Sequence, residues 1–324
     1  LAVYTHLGAE ELAALIAHYD VGTLRSAKGI AEGVSNSNWL VETSGTNDEG
    51  ARFILTMYER RIATADLPYF LGLLDHLSAR GCPVPRTIHD REGAAFRMVD
   101  GKAVALIEYL PGISPTRPTP GHARAVGATL ARMHRASADF VRSRANTMDF
   151  AGNAALLERF GIDRLAAIHP DLPAMLTAAR QAACLDLGDL PHAQIHADLF
   201  PDNVLMLGEQ VTGLIDFYFA CTGALALDLA TTHAAWAFDP SSNLYHEQVG
   251  AALIRGYEAE RPLTSAERNA LPDIAKGAAL RFVASRVEDW LDTPEDALVV
   301  RKDPMQFAER WRFYDEEGAR VFAP

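Results

Sequence analysis

At Pro111-Gly112 the hydrophobic pattern of this 324-residue chain changes period. Before that point, apolar and β-branched stretches at residues 24–30, 34–43, 51–58, 95–100 and 103–110 are separated by turn residues, and they read as five strands. Asp100-Gly101 lies between the last two and marks a hairpin, because glycine tolerates the positive φ such a turn needs. A short amphipathic helix at 10–19 precedes the strands. One helix interrupts them, starting after Asp66 and stopping at Gly81, with Phe70, Leu73, Leu74 and Leu77 on one face. Past Pro115, Pro118 and Pro120 the period becomes helical, at 121–138, 174–185, 246–260, 265–286 and 304–314. Thr264 and Glu267 have capping-box spacing at one of these starts. The pattern predicts an α+β chain of two lobes. Residues 1–110 form an antiparallel five-stranded sheet with a helix, and residues 111–324 form a larger, mostly helical lobe.

Composition removes several functions. Forty-two acidic residues against 30 Lys and Arg leave a net charge of −12, so no basic surface is available to replace phosphate counterions, and a nucleic-acid partner is excluded. No apolar run is long enough to span a bilayer, and a membrane partner is not expected; a cytoplasmic location is. Cys82, Cys184 and Cys221 are too few and too scattered for a disulfide framework or a zinc site. The P-loop, zincin, nucleophile-elbow and C-x-x-C patterns are all absent.

The chemistry lies in Ile195-His196-Ala197-Asp198-Leu199-Phe200-Pro201-Asp202-Asn203-Val204-Leu205, followed by Leu214-Ile215-Asp216-Phe217. Short apolar flanks suggest small strands that hold Asp198 and Asn203 in a loop and deliver Asp216 eighteen residues after Asp198. Phosphoryl transfer needs such a set. A carboxylate orients the attacking hydroxyl and takes its proton, while hard oxygen ligands hold magnesium among the phosphates. Asp198 suits the first role; Asn203 and Asp216 suit the second. The pattern H-x-D-x-x-x-x-N with a later apolar-Asp-Phe is the kinase catalytic signature, here without its Arg and Gly. An isolated Asp–Asn pair is ordinary turn chemistry, but four groups in register are not. His196 reads as a structural support of the loop and Asp202 as a turn residue. Asp228, an acid inside an apolar run, reads either as a buried carboxylate that accepts from the catalytic loop or as an outward charge at a helix start.

Over nearly its whole length the chain resembles the aminoglycoside-phosphotransferase-like small-molecule kinases, and within them the homoserine kinase branch. Besides the catalytic segment, the resemblance rests on Gly29-Ile30-Ala31-Glu32-Gly33-Val34-Ser35-Asn36-Ser37-Asn38, Phe53-Ile54-Leu55-Thr56-Met57-Tyr58-Glu59 and Gly81-Cys82-Pro83-Val84-Pro85. Asp216-Phe217-Tyr218-Phe219-Ala220, Leu280-Arg281-Phe282 and Lys302-Asp303-Pro304 complete it. It implies a bilobal protein-kinase-like fold and transfer of phosphate from ATP, with Mg2+, to the side-chain hydroxyl of L-homoserine, a step of threonine biosynthesis. Glu108, Tyr109 and Leu110 would form the hinge that meets adenine. Gly29, Gly33, Ser35, Asn36 and Ser37 would form the turn over the phosphates. That turn lacks the full glycine set of kinases, though its N–H groups could still make an anion nest.

A second departure is that the strand position of the usual phosphate-binding Lys holds Thr56, with Lys28, Arg60 and Arg61 as candidate replacements. For a substrate with a carboxylate and an ammonium, Arg281, Arg286, Tyr218 and His233 are candidate contacts, with Trp236 behind them. Arg281 reads first as a structural ion pair, with Asp289 as a partner, and second as a contact to the substrate carboxylate. Rival readings are a kinase for choline, methylthioribose or an aminoglycoside, a silent ATP-binding regulator that lacks the strand Lys, and a protein kinase.

Overall fold

The computed structural model describes residues 7–30, 36–59, 62–293 and 301–323. The chain divides into two compact units, Leu1–Gly112 with Thr212–Tyr218, and Ile113–Val211 with Phe219–Pro324.

The first unit runs α1 (Ala9–Ile16), β1 (Leu24–Ile30), β2 (Asn36–Thr43), β3 (Ala51–Tyr58), α2 (Leu67–Ala79), β4 (Thr87–Ile88), β5 (Arg97–Val99) and β6 (Lys102–Glu108). The strands make one antiparallel sheet in the order β1-β2-β3-β6-β4, with β5 paired to β6. Side chains alternate between its faces. Trp39, Val41, Phe53, Leu55, Met57 and Leu106 pack against Leu12, Leu15 and Ile16 of α1. Tyr58, Ala103, Ala105 and Ile107 pack against Leu67 and Leu71 of α2. Asp100 (φ +49) and Gly101 (φ +78) make the tight turn from β5 to β6. The sheet has six strands where the pattern gives five, because β4 is a two-residue strand too short to show a period. Val34 and Ser35, at the start of the expected second strand, lie outside the described residues. The return segment is tied in by backbone, since Leu214 N donates to Pro83 O at 2.7 Å.

The second unit holds α3 (Pro120–Ala136), α4 (Phe150–Ile168), α5 (Leu172–Ala182), β7 (His192–Ile195) and β8 (Val204–Leu207). Through β9 (Gln210–Leu214) the chain passes into the first unit and returns at β10 (Cys221–Ala224), α6 (Leu225–Trp236), α7 (Glu247–Glu260), α8 (Ser265–Asp292) and α9 (Met305–Val321). β7 and β10 pair antiparallel, Ile195 opposite Cys221. α8 starts at the expected capping box, Glu267 N donating to Thr264 Oγ1 at 3.1 Å and Thr264 N to Glu267 Oε2 at 2.9 Å. α3 and α7 cross at glycines. A Cβ at Gly127 would stand 2.0 Å from Leu253 O, and one at Gly256 2.0 Å from Arg124 O.

Candidate active site

β7 ends at Ile195 and delivers the loop His196-Ala197-Asp198, in which Ala197 takes a left-handed conformation (φ +63). A non-glycine residue holds such a conformation only where its surroundings fix it. Here Asp228, in the first turn of α6 and fully buried, does the fixing. Its Oδ2 accepts from His196 N and its Oδ1 from Ala197 N, both at 2.7 Å. His134 Nε2 of α3 lies 2.9 Å from Oδ2, and His134 Nδ1 lies 2.8 Å from Tyr257 Oη of α7. Burial by itself raises the carboxyl pKa, but the hydrogen bond and charge of His134, with His196 and its N–H, outweigh it and leave Asp228 below the usual range. Of the two readings of Asp228, the buried acceptor is the one the fold contains.

The rest of the loop is held from within. Asn203 Nδ2 donates to Asp198 O at 2.8 Å, Phe200 N donates to the same oxygen at 2.8 Å, and Trp236 Nε1 donates to Leu199 O at 2.9 Å. His196 places Nδ1 3.3 Å from Asp198 N, on a fully buried ring, in keeping with a support role.

The carboxylate of Asp198 faces Arg281 of α8, with Nη2 to Oδ1 at 3.3 Å. Arg281 is itself buried. Its Nη1 donates to Ala197 O, and its guanidinium lies over Phe282 and Phe219 at 4.7 and 5.1 Å from the ring centres. The expected Asp289 partner is therefore replaced by Asp198. Arg281 Nε has no hydrogen-bond partner among the described residues, and Arg281 is one of the residues that line a cavity of about 10 Å³, room for one water. Burial raises the pKa of Asp198, and Arg281 foremost, then His196, lowers it. A carboxylate so placed can accept a proton from a hydroxyl, with a fixed cation that opposes the effect of burial.

In the first unit Asp216 is also left-handed (φ +65). Tyr218 donates to Tyr58 Oη at 3.3 Å, the rings meet edge-on at 5.5 Å, and Phe70 closes on Tyr218 at 5.9 Å. Burial raises both phenols, and the charge of Asp216 adds to the rise. Tyr218 thus belongs to an aromatic cluster with Tyr58 and Phe70. Thr56, at the position of the usual Lys, is buried and donates to Asn38 Oδ1 at 2.8 Å. Lys102 pairs with Glu59, which also accepts from Ser37 Oγ at 2.7 Å. Ser37 is fully buried, with its hydroxyl on Glu59. Lys28 is exposed on β1 opposite Leu40, and Gly29 lies opposite Trp39. Asn36 is buried, and its Oδ1 has no hydrogen-bond partner among the described residues. At the end of β6, Glu108 N donates to Arg86 O at 3.0 Å, and Arg52 lies over the Tyr109 ring at 5.8 Å; Leu110 follows directly. Gly33, Ser35, Arg60 and Arg61 lie outside the described residues.

Two expected substrate contacts are placed otherwise. His233 is buried on α6 among Tyr314, Phe322 and Tyr245, its Nδ1 2.7 Å from Tyr314 Oη, and burial lowers its pKa to about 3. Arg286 donates to Asp303 O and Gln306 Oε1 at 2.8 and 2.7 Å and lies over Phe307. Trp236 is core, as its bond to Leu199 O shows. Among the groups that sequence reasoning missed are His134 and Tyr257. The only sign of His134 is a histidine on the apolar face of α3, and such residues are common in cores.

Asn203 carries an amide oxygen and Asp216 a carboxylate, each a hard oxygen of the kind magnesium takes. Asn203 spends its Nδ2 on Asp198 O, which leaves Oδ1 as its acceptor end. Among the described residues no group of three His, Cys, Asp or Glu is placed to hold a metal. No described helix is long and apolar enough to cross a membrane.

The pattern of the phosphotransferase enzyme family matches residues 26–263. The homoserine kinase of Acidiphilium cryptum is 45% identical over 320 residues, covering 98% of each chain. Among solved structures, an amicoumacin kinase in complex with AMP-PNP, Ca2+ and Ami is similar at TM-score 0.71 and 14% identity, covering 96% of this chain and 94% of that one. A spectinomycin phosphotransferase bound to ADP and spectinomycin is similar at TM-score 0.68 and 13% identity, with 98% of each chain covered. At such identities the two structures speak for the fold alone.

Proposed function

The chain belongs to the phosphotransferase enzyme family, and we propose that it is a small-molecule kinase that phosphorylates the side-chain hydroxyl of L-homoserine with ATP. The observation that carries the chemistry is the part-buried Asp198–Arg281 pair on a loop locked by Asp228. The choice of acceptor rests on 45% identity to a homoserine kinase from end to end.

In this reading Asp198 is the catalytic base. It accepts a hydrogen bond from the hydroxyl, aims its oxygen at the γ-phosphorus, and takes the proton as the new O–P bond forms and the bond to the ADP oxygen breaks. Arg281 opposes the rise that burial imposes on the pKa of that carboxylate. Asp228, with His134 and His196, fixes the loop so that little reorganisation accompanies the transfer. Asn203 and Asp216 are the residues to hold magnesium, which supplies charge neutralisation at the phosphates. Gly29, Asn36 and the segment Glu108-Tyr109-Leu110 are the proposed nucleotide contacts.

The test is ADP formation by the full chain with magnesium-ATP and, in turn, L-homoserine, choline and kanamycin. Homoserine-dependent turnover, with O-phospho-L-homoserine identified by mass, is expected. Turnover with choline or kanamycin alone would reject the acceptor, and near-normal turnover by Asp198→Ala would reject the mechanism.

A further inference from the structure

The nitrogens of the Arg281 guanidinium are not equally satisfied. Nη1 donates to Ala197 O and Nη2 to Asp198 Oδ1, while the group lies over the rings of Phe282 and Phe219. The edge left over carries Nε. It has no hydrogen-bond partner among the described residues, although Arg281 is only 6% exposed. A buried donor of a charged group is costly to leave without an acceptor.

Arg281 shares a cavity of about 10 Å³ with Thr231, Asn146, Ala197, Phe150 and Ala278, all in the second unit. Its walls are fixed. Asn153 Nδ2 of α4 donates to Met148 O at 3.0 Å, and Thr222 N of β10 donates to Arg144 O at 2.8 Å, which tethers the covering segment 144–148. Gly277 of α8 has no side chain to hold Phe150 away, and a Cβ there would stand 2.5 Å from that ring.

Thr231 brings a second polar group to the same space. It is buried on α6, three residues after Asp228. Its neighbour Thr232 turns its hydroxyl back to Asp228 O at 2.8 Å, but no hydrogen bond among the described residues occupies the hydroxyl of Thr231. Asn146 gives its Oδ1 to Met148 N at 2.9 Å, so its amide faces its surroundings as a donor.

Size and charge select the occupant. A cavity of this volume admits about one solvent molecule, and a buried water takes two to four polar partners. Arg281 already has its counter-charge in Asp198, so a neutral occupant suffices. We propose that the cavity binds one water, which accepts from Arg281 Nε and donates to Thr231 Oγ1, and that Thr231 is thereby a positioning residue for the Arg281–Asp198 pair. With Nε held as well as Nη1 and Nη2, the guanidinium cannot turn in its plane between the two aromatic rings. The kinetic consequence rests on the kinase reading above, whereas the water site stands apart from it.

The experiment compares wild type, T231V and T231S by crystallography and by kinetics with magnesium-ATP and L-homoserine. The wild-type crystal should show one solvent peak within hydrogen-bond distance of Arg281 Nε and Thr231 Oγ1. T231V, which keeps the shape and removes the hydroxyl, should lose that peak and show the guanidinium displaced from Asp198. Its kcat should fall about five- to tenfold, the worth of one hydrogen bond, with both KM values little changed, and T231S should recover most of the loss. A wild-type cavity without solvent would overturn the proposal whether or not T231V folds. So would a bromide soak that places an anomalous peak there, since the occupant would then be an anion. An unmoved Arg281 in T231V, or equal losses in T231V and T231S, would remove the positioning role. If wild type turns over no acceptor, the kinase reading falls, and the peak and the Arg281 displacement still decide this inference.

Discussion

Arg281 Nη2 lies 3.3 Å from Asp198 Oδ1, on side chains 7% and 18% exposed. Eighty-three residues separate the two, yet the cation on α8 is what opposes the effect of burial on the catalytic carboxylate. Asp198 must be ionised to take a proton, so a higher pKa costs activity on the acid side. Removing Arg281 leaves burial less opposed and moves that pKa further up. Arg281→Met should therefore shift the acid limb of the kcat/KM profile to higher pH, with a larger loss at pH 6.5 than at pH 8.5. Arg281→Lys should retain part of the wild-type profile. A loss confined to KM for homoserine, with the acid limb unmoved, would return Arg281 to the substrate.

Asp228 offers a second measurement. Its carboxylate accepts two loop N–H groups and faces His134, all without solvent. Asp228→Asn turns an amide N–H₂ toward donors that need an acceptor, and a cost of about 3–5 kcal/mol is expected in urea unfolding at pH 7. The pH dependence has a definite sign. The folded pKa is lowered, so the wild-type contribution is present above the unfolded value of 3.8 and is lost as pH falls through the folded one. The difference between wild type and variant should thus shrink only below about pH 4. A constant difference down to pH 3 would show that the charge of Asp228 is not the source.

What the sequence reveals and hides follows from burial geometry. The strands of the first unit are legible because one face packs on α1 and the other on α2, which leaves alternation in the residue types. Helix α6 is not, because all of its twelve residues except Leu227 are buried and no polar face marks a period. The break in α4 at Gly161 (φ +76) blurs that helix in the same way. The Asp198, Asn203 and Asp216 spacing is local and so readable. The partner of Arg281 is set by how a 28-residue helix lies against a distant loop, and sequence neighbourhood points wrongly to Asp289. Likewise the Thr56–Asn38 bond depends on strand register, which no single strand reveals.

His233 gives a test of core electrostatics away from the loop. Burial lowers its pKa to about 3, whereas in the unfolded chain the ring titrates near 6.5. Below pH 6.5 the unfolded state binds more protons, so stability falls as pH drops through that value toward 3. By pH 5 the loss from this residue comes to about 2 kcal/mol. His233→Gln, which cannot titrate, should show a flatter decline in urea midpoint between pH 7.5 and pH 5. A variant that declines as steeply as wild type would place the acid sensitivity elsewhere.

The α3–α7 crossing links packing to catalysis. Gly127 and Gly256 let the helices approach until a Cβ on either would stand 2.0 Å from a backbone carbonyl oxygen of the other helix. Backbone cannot yield as a flexible side chain does, so the helices must separate to admit a methyl group. The same two helices carry His134 and Tyr257, whose hydrogen bond steadies the imidazole against Asp228. Gly127→Ala should therefore cost about 2–3 kcal/mol or more in unfolding and also lower kcat, while the KM for ATP changes little. Gly81→Ala is the contrasting control. Its Cβ would meet nothing within 4 Å but would sit at φ +74, so strain without a clash should cost stability and spare kcat. Equal effects of the two variants on kcat would mean that the helix spacing does not reach the loop through His134.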